Sequence, residues 1–196
     1  MLPAEQIRER YELIKAQVGP AVTVVAATKY VRLAEMSLLV EAGVEVVGEN
    51  RAQDLEAKHA EYGDAFRWHF IGHLQSNKVK VVNGICELVH SLDSHSAARR
   101  LEVPALLEVN LSGEASKSGV APAEIADYLA YGIRGLTTMP PAASDPEESR
   151  PWFARLRSLA AEHGLQELSM GTTQDFRVGA EEGATHVRVG SILFRE

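Results

Sequence analysis

Val22-Thr23-Val24-Val25-Ala26-Ala27-Thr28-Lys29 is an apolar, β-branched run that ends in a single lysine. Gly19-Pro20 precede it and a helical pattern follows, so it reads as a strand buried on both faces, as in a parallel sheet. Lys29 stands at the carboxyl end of that strand, where parallel α/β folds gather their chemistry. An amine delivered there by a rigid element is a candidate covalent nucleophile toward a carbonyl. Position alone fits a surface lysine just past a strand equally well, and the rest of the chain has to decide between them.

On the N-terminal side, Ile7, Tyr11, Ile14 and Val18 recur at helical spacing, which predicts an amphipathic helix over residues 4–18 against the outside or bottom of the domain. Beyond Lys29, a helix over 33–42 with Leu33, Met36, Leu39 and Val40 inward stops at Gly43. Strand-like runs then alternate with helical ones: strand 44–50, helix 52–61, strand 68–74, a short helix from Ser76, strand 87–92. Only about two helical turns fit between Asp93 and Val103 before a strand over 104–111. Pro122 opens a helix to Leu129, residues 133–139 form a strand, and Asp145-Pro146 open a helix with Trp152, Phe153, Leu156, Leu159 and Ala160 inward. A strand over 167–171, a helix over 175–182 and a final strand over 186–194 complete the series.

Eight parallel strands with short connections close most economically into a (β/α)8 barrel of the TIM type with one extra N-terminal helix. A doubly wound open sheet is the alternative, but no strand is followed by a Gly-x-Gly-x-x-Gly phosphate fingerprint. The length of 196 residues suits a single domain, 1–196, since typical barrels run to about 250 residues. A net charge of −7 argues against a nucleic-acid or anionic-membrane surface. The one cysteine, Cys86, lies in an apolar run and reads as a core residue, so there is no internal disulfide and no thiolate metal cluster. With no membrane-length apolar stretch and no signal-peptide pattern at Met1-Leu2-Pro3-Ala4-Glu5, a soluble, cytoplasmic monomer is expected.

Barrels often bind phosphate on the loops after strands seven and eight. Here those loops are Ser169-Met170-Gly171-Thr172-Thr173 and Arg188-Val189-Gly190-Ser191, each with a glycine for close backbone approach and hydroxyls that can donate. Either loop alone reads as an ordinary turn. Together, beside a strand-end lysine, they suit pyridoxal 5'-phosphate bound as a Schiff base.

Specific stretches support this: Val25-Ala26-Ala27-Thr28-Lys29, Gly48-Glu49-Asn50, the run from Trp68 to Lys78 (WHFIGHLQSNK), Ser91-Leu92-Asp93-Ser94, the run from Val109 to Gly119 (VNLSGEASKSG), Gly135 to Pro140, Leu168 to Gly171 and Arg188 to Ser191. In these the chain resembles the pyridoxal phosphate homeostasis proteins, whose fold is that of the alanine racemase N-terminal domain. The resemblance implies that Lys29 carries the Schiff base and Asn50 lines the cofactor face. It further implies that Ser169, Gly171, Thr173, Gly190 and Ser191 hold the phosphate and that Arg188 addresses the pyridine nitrogen. The family's usual Met-Gly-Met-Ser run is Met170-Gly171-Thr172-Thr173 here, which leaves open which threonine bonds the phosphate. The segments after Asp93 and after Tyr128 are shorter than usual, and Arg195 stands where the family has glycine.

His69 and His73, four apart on the third strand, are expected on one face, where interior hydrogen bonding is the plain reading and a metal site lacks a third ligand. Lys117 sits on the loop after strand five, either solvated or as a second basic group near the cofactor mouth. The resemblance implies a non-catalytic carrier acting in vitamin B6 balance, with transient contacts to pyridoxal-phosphate-dependent apoenzymes. The alternative is a single-domain amino-acid racemase. Racemisation needs a second base beside Lys29, and the chain leaves no residues for the extra β-domain that supplies it in alanine racemase.

Overall fold

The computed structural model describes residues 1–195 and closes eight parallel strands into a barrel in sequence order, β1 to β8, with β8 pairing back onto β1. The strands are β1 (Thr23–Ala27), β2 (Val46–Glu49), β3 (Arg67–Phe70), β4 (Leu88–Leu92), β5 (Ala105–Glu108), β6 (Gly135–Thr137), β7 (Glu167–Thr172) and β8 (His186–Val189). Around them run α1 (Ala4–Val18), α2 (Met36–Ala42), α3 (Ala52–Tyr62), α4 (Val79–Ile85), α5 (His95–Ala98), α6 (Ile125–Tyr128), α7 (Arg150–Glu162), α8 (Phe176–Glu181) and α9 (Ser191–Phe194). The closed order excludes the open doubly wound sheet. Among the described residues, no helix is long and apolar enough to cross a membrane.

The core forms between the outer faces of the strands and the helices. Val24 and Ala26 of β1 pack there with Ile7, Tyr11 and Ile14 of α1, all buried. Helix α1 lies across the β8–β1 seam, touching α2, α8 and α9. It also ties the chain's two ends together: Leu2 N–H donates to Phe194 O at 3.1 Å, and Arg10 Nη1 donates to Ile192 O at 2.9 Å and Arg195 O at 2.6 Å. The turn after β8 is thereby fixed to the start of the chain. Cys86 is buried in this layer, and burial pushes its thiol up to about 12.

The departures from the pattern have local causes. The run 186–194 does not form one strand; β8 stops at Val189, and Gly190 (φ −130°, ψ −92°) turns the chain into the single helical turn α9. The third strand ends at Phe70, so His69 and His73 do not share a strand face: His69 is buried in the barrel, whereas His73 lies exposed on the following loop, 3.1 Å from Asp93. The 33–42 segment begins as a 3-10 turn over Leu33–Glu35, and this leaves Leu33 and Val40 exposed while Met36, Leu39 and Ala42 face the core. Between Asp93 and Val103 only one helical turn forms, capped by the Ser94 hydroxyl, and Trp152 of α7 is only partly covered.

The barrel interior is polar where the strands converge. His69 Nδ1 lies 2.9 Å from His90 Nε2, and His90 Nδ1 lies 2.7 Å from Ser169 Oγ, contacts that cross the barrel from β3 and β4 to β7. The His186 ring on β8 stands 5.2 Å from that of His90 and 5.9 Å from that of His69. Burial lowers all three imidazoles: His69 to about 3, His186 to about 4, and His90 well below the usual value, with mutual repulsion and nearby arginines adding to the effect. They are neutral, hydrogen-bonding filler at neutral pH.

Candidate cofactor cavity at the barrel seam

A cavity of about 660 Å³ opens at the carboxyl ends of the strands, over the seam where β7, β8, β1 and β2 meet. That size falls within the usual range for small-molecule sites. Lys29 enters it from a tight turn after β1, in which Val31 N–H donates to Thr28 O at 2.8 Å. Lys29 and Tyr30 occupy the two corners of that turn, with the Lys29 ammonium 4.8 Å from the centre of the Tyr30 ring. Both side chains are exposed, so a molecule entering the cavity meets the amine directly.

Asn50 after β2, Thr173 after β7, and Arg188, Gly190 and Ser191 at the end of β8 also line the cavity. Six of the eight residues expected at the site therefore share one space. Ser169 and Gly171 do not line it. Ser169 is fully buried, and its hydroxyl is turned into the barrel interior toward His90. Gly171 has φ +92°, and a Cβ there would stand 2.9 Å from the Phe176 backbone. Its role is to bend the chain against α8 and present the next two residues. The β7–β8 pairing shifts register between Ser169 and Thr172, and this irregularity separates Ser169 from the cavity although only two positions intervene before Thr172, which lines it.

The two threonines differ. Thr172 donates both its backbone N–H, at 2.7 Å, and its hydroxyl, at 3.0 Å, to Asp175 Oδ1, and Asp175 Oδ2 accepts from Ser149 Oγ at 2.7 Å. Thr173 Oγ1 instead accepts the Gly190 N–H at 3.1 Å, which joins the two loops and leaves its hydroxyl proton to donate elsewhere.

Arg188 is buried, its guanidinium held by Thr138 O at 3.0 Å and by the Met139 sulfur at 3.2 Å. Burial pulls it below its ordinary range, opposed by Glu108 and Asp175, and an arginine stays charged under such a shift. Arg188 Nε and Asn50 Oδ1 are both buried without a hydrogen-bond partner among the described residues. A buried polar atom left unpaired is costly, and because both residues line the cavity a ligand bound there is the natural partner for these two atoms. The donor set fits a heteroaromatic ligand that brings an acceptor to Arg188, a carbonyl to Lys29, and an anionic group to Thr173 and Ser191, with Gly190, whose N–H is given to Thr173, allowing close backbone approach.

Thr172, left open beside Thr173 as the phosphate contact, lines the cavity too, and so do Tyr30, Ile71, Met139, Gln174 and Arg195, which were not singled out as site residues by sequence. Of those five only Tyr30, adjacent to the lysine, had a positional signal. Lys117 does not line the cavity; its ammonium donates to Met139 O at 3.3 Å and pairs with Glu114 at 3.5 Å, one residue behind the wall. At the mouth Glu35 is tied to Arg32 at 2.7 Å, and that guanidinium holds its carboxyl down to about 2.

The family described as the alanine racemase N-terminal domain matches residues 3–196. A pyridoxal phosphate homeostasis protein of Aquifex aeolicus is 41% identical over 177 residues, covering 79% of this chain and 78% of its own. One from Deinococcus radiodurans is 39% identical over 198 residues, covering 92% and 93%. The solved structure of PipY from Synechococcus elongatus, described with PLP bound, superposes with a TM-score of 0.87 at 33% identity, covering 96% of this chain and 99% of that one. The chain belongs to the alanine racemase N-terminal domain family, in its pyridoxal phosphate homeostasis protein branch.

Proposed function

We propose that this protein holds pyridoxal 5'-phosphate covalently on Lys29 and keeps it in reserve for vitamin B6 balance. The observation that carries the reading is the convergence of the Lys29 amine, the unpaired Arg188 Nε and the Thr173–Gly190–Ser191 group on one cavity. The names of the relatives and the ligand in PipY support it. When bound, the vitamer supplies an aldehyde that condenses with an amine, and a phosphate by which it can be gripped. Thr173, Gly190 and Ser191 hold the phosphate, and Asn50 steadies the ring edge. The strand-end residues Ser169 and Gly171 support this loop without touching the ligand.

Arg188 donates a hydrogen bond to the pyridine nitrogen and has no acceptor for a pyridinium N–H, so that nitrogen stays unprotonated. An unprotonated ring withdraws electrons weakly, which limits carbanion chemistry in general without excluding racemisation. A racemase further requires a second base placed across the substrate from the lysine. Among the described residues lining the cavity, Glu35 is engaged by Arg32 at the mouth, and Tyr30 sits on the same turn as Lys29. These features favour a carrier, and we further propose that it is a cytoplasmic monomer that meets pyridoxal-phosphate-dependent apoenzymes transiently.

The test is to load the protein with pyridoxal 5'-phosphate, reduce with borohydride and map the adduct by mass. A pyridoxyl group on Lys29 is expected; an adduct on Lys117 as the main site defeats the assignment. Incubating the loaded protein with single amino-acid enantiomers in deuterated water separates carrier from racemase. No α-proton exchange is expected, and rapid exchange with inversion would establish the enzyme.

A further inference from the structure

The turn that carries Lys29 is anchored from behind by groups that never reach the cavity. Thr28 is fully buried and all of its polar groups are engaged. Its N–H donates to Gly48 O at 3.0 Å, its hydroxyl donates to the Glu49 carboxylate, and its carbonyl accepts both Val31 N–H at 2.8 Å and the Lys58 ammonium at 2.9 Å. Lys58, on α3, is itself buried and pairs with Glu49, which is 0% exposed at the end of β2. One ion pair thus grips Thr28 at its hydroxyl through the carboxylate and at its carbonyl through the ammonium. The next residue in the chain is Lys29, whose own side chain is exposed over Tyr30.

A buried ion pair is a poor stabiliser, because desolvating two charges offsets most of their attraction and an apolar pair of similar volume does as well. Its distinctive capability is directional: it fixes the atoms it bonds in one geometry. Here those atoms are the hydroxyl and carbonyl of the residue preceding the amine. We infer that Glu49 and Lys58 are positioning residues for the aldehyde-capturing amine, setting the Cα of Lys29 so that its nitrogen meets a carbonyl carbon held by the rest of the cavity. The inference rests on the function proposed above. In the capture step the neutral Lys29 nitrogen bonds to the carbonyl carbon, and the carbonyl oxygen leaves as water with the two amine hydrogens. No oxidant or further reactant is needed. The ion pair takes no part in this chemistry and contacts neither partner.

The experiment compares covalent capture with non-covalent fit in the full chain. Capture is followed as growth of the yellow chromophore with pyridoxal 5'-phosphate. Fit is measured as the affinity for pyridoxine 5'-phosphate, which carries the same ring and phosphate but no aldehyde. In the double variant Glu49→Gln with Lys58→Met, capture should slow about tenfold or more while the pyridoxine 5'-phosphate affinity stays within about twofold, since small misplacements of a reacting group act on rate. Thr28→Val should show the same split and Thr28→Ser should restore capture. Should the double variant fail to fold by circular dichroism, the Thr28 pair carries the comparison.

Unchanged capture in a folded variant overturns the inference. So does an equal loss of capture and pyridoxine 5'-phosphate affinity, which would make the pair a support for the whole cavity wall. If the unmodified protein captures no aldehyde, the proposed function falls as well, and the pair is then structural only.

Discussion

Two polar regions stand almost in contact on β8. His186 belongs to the interior layer with His69, His90 and Ser169, while Arg188, two residues on and facing the same way, belongs to the seam cavity. In the interior the polar atoms meet each other: His69 to His90, His90 to Ser169, His186 to Thr185. At the cavity two buried atoms are left over, Arg188 Nε and Asn50 Oδ1, and one amine stands exposed. Glu49 Oε2, Asp93 Oδ1 and Glu182 Oε2 also lack a hydrogen-bond partner among the described residues without lining the cavity, so it is the combination of orphan atoms, a cavity and an exposed amine that marks a place for a ligand. Composition does not separate the two regions, since both mix basic side chains with hydroxyls.

The largest effect expected from this contrast is on acid stability. His69 and His186 have folded-state values of about 3 and about 4, pushed down chiefly by burial, against an ordinary value of 6.5, and His90 is shifted the same way. Between those values the unfolded chain binds more protons than the folded one. Stability is therefore complete above about pH 6.5 and is lost as pH falls toward the folded values, by about 1.4 kcal/mol per pH unit for each titrating histidine. The window from 6.5 to 4.5 lies above the range where carboxylates such as Glu35 and Glu147, both lowered by arginines, begin to contribute. Urea midpoints measured across it on the ligand-free protein should drop steeply. A flat profile would mean that the histidine layer is hydrated and titrates normally, and the contrast between sealed and open regions would be lost.

The second effect falls on the cavity side. Arg188→Ala removes a charge-assisted hydrogen bond of about 1.5–3 kcal/mol, which corresponds to roughly 10- to 100-fold faster loss of pyridoxal 5'-phosphate. Arg188→Lys keeps a charge but not the planar guanidinium and should fall between the two. Gel filtration followed by absorbance of the retained ligand measures this. Retention unchanged in both variants, with a lowered melting temperature, would move Arg188 from the cavity to the interior layer.

The sequence carried the architecture because strand and helix periods differ and glycines at 43, 164 and 183 mark the helix ends, each with a positive φ. It carried the cavity's chemistry through the two glycine-and-hydroxyl loops and the lysine. It did not show that Ser169 turns away from the cavity, because alternation along a strand does not report a register shift, and β7 slips against β8 between Ser169 and Thr172. It misled at the last strand, since the run from His186 to Phe194 stays rich in apolar residues through the point where Gly190 redirects the backbone. Glu49 and Lys58 were invisible for another reason. Nine positions separate them, across a strand end and a helix, and no periodic pattern links a β2 carboxylate to an α3 ammonium.

The smallest effect discriminates within one loop. Thr172 gives its amide and hydroxyl to Asp175, so its hydroxyl is spent inside the protein, as the interior histidines are. Thr173 accepts from Gly190 N–H and retains a proton to donate, as the cavity groups do. Thr173→Val should therefore weaken pyridoxal 5'-phosphate retention by about 1 kcal/mol, near fivefold, with little change in melting temperature. Thr172→Val should do the reverse, because one Asp175 oxygen loses a donor while the ligand loses none. Ser191→Ala, at the other loop, should follow Thr173 if its hydroxyl also faces the phosphate. Equal effects of the two threonine variants on retention would show that the loop acts as one unit, with its shape set by Asp175 and Gly171 more than by either hydroxyl.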